Sequence, residues 1–447
     1  MGKIGRILSF TLITVFLVFA ASLAYAQGEA ASREDVLISI LVKKGILTQE
    51  ETKAIEAEAE ATQKKHEQKI VEDIKTKGLA VPNALKGLSI SGLGYIDYSV
   101  GEIARPGNKE TNLNKFTLTR GYLTIQKNIN DWMSGRITSD ITRLSTNGDP
   151  NNSDWEYRIK YLYVELRPHD IGGLTNMQAE FGQGHNPWLD FEESINPTRA
   201  QGTMAVERAG VFNSADLGVS LRGNIYGKLA DAKAKTGNSH YDGFYGSWHL
   251  GVYNGGGYHN DEANSSKALE GRLSIRPLPE LVPGLQLSYL GMFGKGNKSP
   301  YTSYEPNYIV NMGMLSLENP LYILTAQYFQ TTGNAAGTWV TPDNDELRTE
   351  GVSVFGRVKM PFITERLGAF ARYDYFNQDK DNKIAHNAHY NMYITGLSYD
   401  LYKDNIILAD FESVDYGSGA GLQGAAPKAD NRLGNNNKFQ VVYQLSF

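Results

Sequence analysis

Charged side chains recur at alternate positions in several short segments of this chain, a spacing that serves one kind of chemistry. It lines one face of a wall with fixed charge while the intervening positions face elsewhere. Arg158 and Lys160 are such a pair, as are Glu270 and Arg272 with Arg276 beyond, Arg357 and Lys359, and Arg372 and Asp374. Opposed rows of fixed charge set up a transverse field that sorts passing ions by sign. Nothing comparable points to bond making. His169, His185, His249, His259, His386 and His389 are scattered, and the last two lie three apart in a polar loop without a metal-ligand pattern. Gly255-Gly256-Gly257 has no helix after it to cradle a phosphate. The chain has no cysteine, which excludes disulfides, thiolate metal sites, a cysteine nucleophile and attached c-type haem. No catalytic residue, metal or cofactor is expected.

The elements that position these charges have a period of two. From Lys438 to Phe447, Phe439, Val441, Tyr443, Leu445 and Phe447 form one face, and Lys438, Gln440, Val442, Gln444 and Ser446 the other. One face suits lipid and the other a wet lumen. Leu269, Gly271, Leu273 and Ile275 alternate with Glu270, Arg272, Ser274 and Arg276 in the same way, and so do Val352, Val354, Gly356 and Val358 with their neighbours. Laid end to end, the pattern predicts sixteen antiparallel strands between Gly87 and Phe447, with fourteen or eighteen still open. Long polar segments at 101–113, 144–155, 186–213, 255–266, 297–306, 332–348, 378–390 and 418–436 alternate with tight links, the long-short rule of outer-membrane barrels. The links 168–175 and 230–242 are longer than that rule likes.

Before the barrel come two different segments. Lys3 and Arg6, the apolar run from Ile7 to Ala20, and Ala24-Tyr25-Ala26 read as an export signal over residues 1–26 that is cleaved after Ala26. Within a segment 27–86, residues 32–77 carry a helical signature: Ser32 with Asp35 and Thr48 with Glu51 resemble capping boxes, placing helices near 33–44 and 48–77. The second has little to bury alone, so it reads as a coiled-coil-like periplasmic segment or a solvated spacer. Forty-six glycines and 26 tyrosines with no long apolar run suit a barrel exported to the outer membrane of a Gram-negative cell. The mild net charge of −5 leaves no basic tract for nucleic acid.

If the apolar faces meet lipid, Arg136, Arg158, Lys160, Arg222, Arg272, Arg276, Arg357, Lys359, Arg372, Asp140 and Asp374 line the lumen. Any one of them can equally be a structural ion pair. Arg120 joins the basic set only if Gly121 marks a bulge, because Phe116 and Leu118 precede it while Leu123 and Ile125 follow. The basic excess predicts a weak preference for anions.

Five local patterns carry a resemblance: Gly87-Leu88-Ser89-Ile90-Ser91-Gly92, Leu118-Thr119-Arg120-Gly121-Tyr122-Leu123, Glu180-Phe181-Gly182-Gln183-Gly184 with Pro187 beyond, Met204-Ala205-Val206-Glu207-Arg208 before Asp216-Leu217-Gly218, and the terminal aromatic. Together with the strand plan they resemble the phosphate-selective porin O and P family over nearly the whole mature chain, and Leu41 to Glu51 looks like the helical lead-in of bacterial porins. The resemblance implies a homotrimer of sixteen-stranded barrels that passes small hydrophilic solutes or anions. In porins the third external loop folds inward, which here makes 186–213 a constriction with Trp188, Asp190, Phe191, Glu192, Glu193, Arg199, Glu207 and Arg208; an outward surface loop is the alternative. The ending Tyr443, Leu445, Phe447 resembles the signal read by the barrel-assembly machinery. Phosphate selectivity is not carried over, because no dense ladder of arginine and lysine aligns. The alternative is a partner barrel, sheathing an electron-transfer cytochrome or anchoring the envelope.

Overall fold

The computed structural model describes residues 85–145, 153–299, 304–434 and 436–447, together with Lys44, Thr48, Glu51 and Lys65. The chain divides into two compact units, Met1–Gly87 and Leu88–Phe447. In the first, the Thr48 amide donates to a Glu51 carboxylate oxygen at 2.8 Å and the Glu51 amide to Thr48 Oγ1 at 3.2 Å. This is the reciprocal capping box that the T-x-x-E spacing predicts. The export signal with Ala24 and Ala26, and nearly all of the expected helices 33–44 and 48–77, lie outside the described residues.

The second unit is a closed barrel of sixteen antiparallel strands. They are β1 (Leu88–Arg105), β2 (Lys109–Asn128), β3 (Met133–Ser145), β4 (Ser153–Leu166), β5 (Leu174–His185), β6 (Ala215–Ile225), β7 (Gly246–Tyr253) and β8 (Ala268–Ile275), followed by β9 (Leu285–Lys295), β10 (Asn307–Glu318), β11 (Tyr322–Thr332), β12 (Arg348–Lys359), β13 (Leu367–Asn377), β14 (His389–Tyr402), β15 (Asn405–Tyr416) and β16 (Asn436–Ser446). Each strand pairs with the next, and β16 closes on β1 from Leu93↔Ser446 to Glu102↔Asn437. One expected loop is instead strand. Residues 101–113 continue β1 and β2 into a long hairpin, turning at Pro106-Gly107-Asn108, where Gly107 and Asn108 take positive φ. Its polar residues read as a loop, but their backbones pair throughout.

Outward positions carry exposed apolar side chains, among them Leu123, Ile137, Phe181, Val219, Leu250, Leu273, Leu287, Leu315, Leu324 and Val354. Two of the bulges bear on the charged residues of the lumen. Tyr95 pairs Arg120 while Ile96 pairs Leu118, so Thr119 is the extra residue and Arg120 turns inward. Arg120 thus faces inward through a bulge at Thr119, whereas Gly121, the expected site of the bulge, is regularly paired with Gly94. Ser139 pairs Ile159 while Thr138 pairs Tyr161, which makes Lys160 the extra residue of β4.

The inner wall is not uniformly wet, contrary to the expectation from strict alternation. Leu290, Met292, Tyr308, Val310, Met312, Met314, Phe329, Phe355, Phe370, Tyr390, Met392, Ile394 and Leu408 belong to one buried apolar cluster on β9–β15. Those strands are apolar on both sides in places: β10 points Val310, Met312 and Met314 one way and Leu315 the other.

Candidate functional site: a loop across the barrel lumen

The segment 186–214 between β5 and β6 explains the apolar half of the wall. It contains helix α1 (Leu189–Ile195), a 3-10 turn (Arg199–Gln201) and helix α2 (Ala205–Arg208). In and around α1, Trp188, Phe191 and Ile195 fall at helical spacing on one face, while Asp190 and Glu193 fall elsewhere. The first three are fully buried, and with Met204, Val206, Val211 and Phe212 they join the β9–β15 cluster. Burying a side chain of this size contributes about 1.5–3 kcal/mol each, enough to hold a seven-residue helix inside the barrel. Trp188 and Phe191 thus form the surface by which the loop packs on the wall.

Hydrogen bonds fasten the loop around the wall. Asn186 Nδ2 donates to Glu270 on β8 at 2.8 Å, and Arg272 Nε to the Pro187 carbonyl at 2.9 Å. An Arg372 guanidinium nitrogen on β13 donates to the Thr203 carbonyl at 2.7 Å, and Gln440 Nε2 on β16 to the Gln201 carbonyl at 2.9 Å. Arg208 reaches Glu412 on β15 at 2.7 Å. Arg372 also pairs with Asp374. Arg272, Arg276, Arg372 and Asp374 therefore lie buried beneath packed chain, and Arg357 and Lys359 share Asp400 at 3.4 and 3.5 Å. Glu192 sits in the seam, accepting the Trp188 indole N–H at 2.8 Å. Burial pushes its carboxyl up to about 7, against the pull of Arg372.

The opposite edge of the loop is charged and faces β2–β6. Glu193 meets Arg199 at 2.6 Å and Arg120 at 3.4 Å, and Arg199 also meets Glu207 at 2.8 Å. Burial raises the Glu193 carboxyl, but Arg199 and Arg120 outweigh it and hold the group well below the usual range. Facing them, cations alternate with tyrosine rings. The Arg120 guanidinium stands 4.8 Å from the Tyr122 ring centre, the Lys160 ammonium 4.4 Å from the same ring, and Arg136 4.9 Å from Tyr161. Arg158 pairs with Asp140 at 2.8 Å and Arg222 with Glu180 at 3.0 Å. Among the described residues, Arg136 and Lys160 have no carboxylate within ion-pair distance.

The link 226–245 was not foreseen as part of this site. It carries helix α3 (Ala232–Thr236) and folds back to meet the loop. Asn238 Nδ2 donates to the Ser194 carbonyl at 3.0 Å and to Glu318 at 2.8 Å. The Tyr241 hydroxyl donates to Asp190 at 2.5 Å, its ring packs edge-on to Phe191, and the Arg272 guanidinium covers both rings. The signal in the sequence was its length alone. At the chain's end, Leu445 and Phe447 are exposed on the outside, and the Phe447 backbone exchanges hydrogen bonds with Gly92.

This architecture, a sixteen-stranded antiparallel barrel, is the fold of outer-membrane porins. The chain is similar to the anion-selective porin from Comamonas acidovorans, with a TM-score of 0.52 and 10% identity over 80% of this chain and 100% of that one. It is equally similar to Salmonella typhi OmpF in complex with daunomycin, with a TM-score of 0.52 and 11% identity over 80% of this chain and 97% of that one. Its sequence matches no protein-family model and no curated protein.

Proposed function

We propose that this chain is an outer-membrane channel for passive diffusion of small hydrophilic solutes, with a weak preference for anions. The observation that carries the reading is the two-faced loop 186–214. Its apolar side is cemented to half of the wall, and its charged side stands opposite a wall of arginine, lysine and tyrosine. Such an arrangement leaves a polar passage crossed by a transverse field. Most charges on it pair off, and Arg136 and Lys160 remain as cations against Asp190. That small surplus supports anion preference, and the resemblance to the porin O and P family is retained at this level only, without phosphate. Cleavage after Ala26, a periplasmic helical segment at 27–86, assembly through the Phe447 signal and a homotrimer complete the proposal. A lumen crossed by 186–214 and met by 226–245 leaves little room for a threaded cytochrome, which counts against the sheath.

The test is single-channel recording of the mature protein in a planar bilayer under asymmetric KCl. Steps in multiples of three with a reversal potential on the chloride side are expected. A folded barrel that gives no steps overturns the channel.

A further inference from the structure

Loop 186–214 and link 226–245 border a half-open pocket of about 350 Å³ against β3, β5, β6 and β7, near the lower end of ligand-pocket sizes of roughly 300–1,000 Å³. Its charges are balanced rather than of one sign. Arg222 is neutralised by Glu180 at 3.0 Å. What remains facing the pocket is Arg136 and Lys228 on one side of the balance and Asp190 and Asp242 on the other. Lys228 and Asp242 make only a long contact of 3.7 Å, with Lys228 60% exposed. Arg136 is held by Thr138 Oγ1 at 3.1 Å and by the Tyr161 ring, not by a carboxylate among the described residues. Asp190 is anchored by Tyr241 and lies 3.9 Å from His185 Nε2, yet 43% of its side chain is open.

We propose that this pocket is a binding subsite for a small zwitterion of the α-amino-acid class. A simple anion would satisfy Arg136 but lie beside Asp190, and a simple cation would meet the reverse conflict. A solute carrying both charges meets a partner at each end, and no charge is left unpaired in a confined site. Carboxylate on Arg136 and ammonium on Asp190 is the orientation the lining dictates. The two acidic residues also come from different segments, Asp190 from the loop and Asp242 from the link. The subsite therefore exists only because the link folds inward.

The inference rests on the channel reading, and the two fail separately. With wild-type channels in symmetric KCl, L-glutamine, sodium propionate and propylammonium chloride are added in turn and the half-blocking concentration of each is measured. Glutamine is expected to reduce the current saturably, at a concentration at least tenfold below either single-charge probe. Replacement of Asp190 by Asn, or of Arg136 by Gln, is expected to bring glutamine to the level of the single-charge probes. Propionate or propylammonium blocking as well as glutamine overturns the zwitterion site, as does a current that none of the three reduces. Absence of KCl steps before any addition overturns the channel itself.

Discussion

The two halves of the inner wall follow different rules. On β9–β15 much of the lumen side is a packed apolar core, built of Met292, Met312, Phe329 and Met392, joined by Trp188 and Phe191, with the buried pair of Arg372 and Asp374 set among it. On β2–β6 it is a polar wall of Arg120, Arg136, Lys160 and Arg222 interleaved with Tyr122, Tyr161 and Tyr163, with Arg120 and Lys160 themselves buried. The first half spends its chemistry on holding a loop in place, and the second presents the charges that the loop faces. A narrow passage needs both, because a charged edge placed only by ion pairs in water would be poorly fixed.

The comparison breaks most severely at Trp188. Trp188→Ala is expected to lose about 3–5 kcal/mol of packing, so the loop should undock and single-channel conductance should rise several-fold with added noise. Unchanged conductance would mean that the apolar half does not hold the loop. Next in size is the polar half. Arg136→Glu together with Lys160→Glu should reverse the ion preference, read as a change of sign in the reversal potential. A retained chloride preference would move the determinant away from this wall.

A smaller effect follows from Glu192, which lies in the seam between the halves. Its docked carboxyl holds a proton up to about 7, whereas a free glutamate releases it near 4.3. Docking is therefore strongest below the free value, weakens as pH rises towards 7, and changes little above it. A shift of this size corresponds to a few kcal/mol at most. Channel noise should grow between pH 4.5 and 7 and level off beyond, and Glu192→Gln should flatten that profile. Smallest of all, Tyr241→Phe removes one hydrogen bond to Asp190, worth about 1 kcal/mol. It should leave ion selectivity in place while raising the half-blocking concentration of glutamine a few-fold.

Much of the barrel was legible in the sequence because an outer face and an inner face of different character impose a period of two. The β8 and β12 alternations and the strand from Lys438 to Phe447 are instances. Where both sides of a strand are apolar, as around Met312 and Leu315 on β10, the strand is still recognisable but its inward face is not. The apolar half was hidden for that reason. Arg120 could be placed only conditionally, since a bulge at Thr119 shows in sequence merely as a break in phase. Loop 186–213 was found by its length, but its division into adhesive and exposed sides depends on which wall it meets. Trp188 and Asp190 lie two residues apart and do opposite things. The inward path of 226–245 left only an overlong link as its trace, for the contacts of Asn238 and Tyr241 are with residues distant in sequence.

The seam between β1 and β16 has a kinetic meaning. The first strand of the barrel finds one of its two neighbours only in the last strand to be synthesised, down to the hydrogen bonds of Phe447 with Gly92. Until then β1 carries an unpaired edge, the kind of surface that pairs with the wrong chain. Closing so long a loop makes the step slow. The interval before closure is when the chain most needs protection.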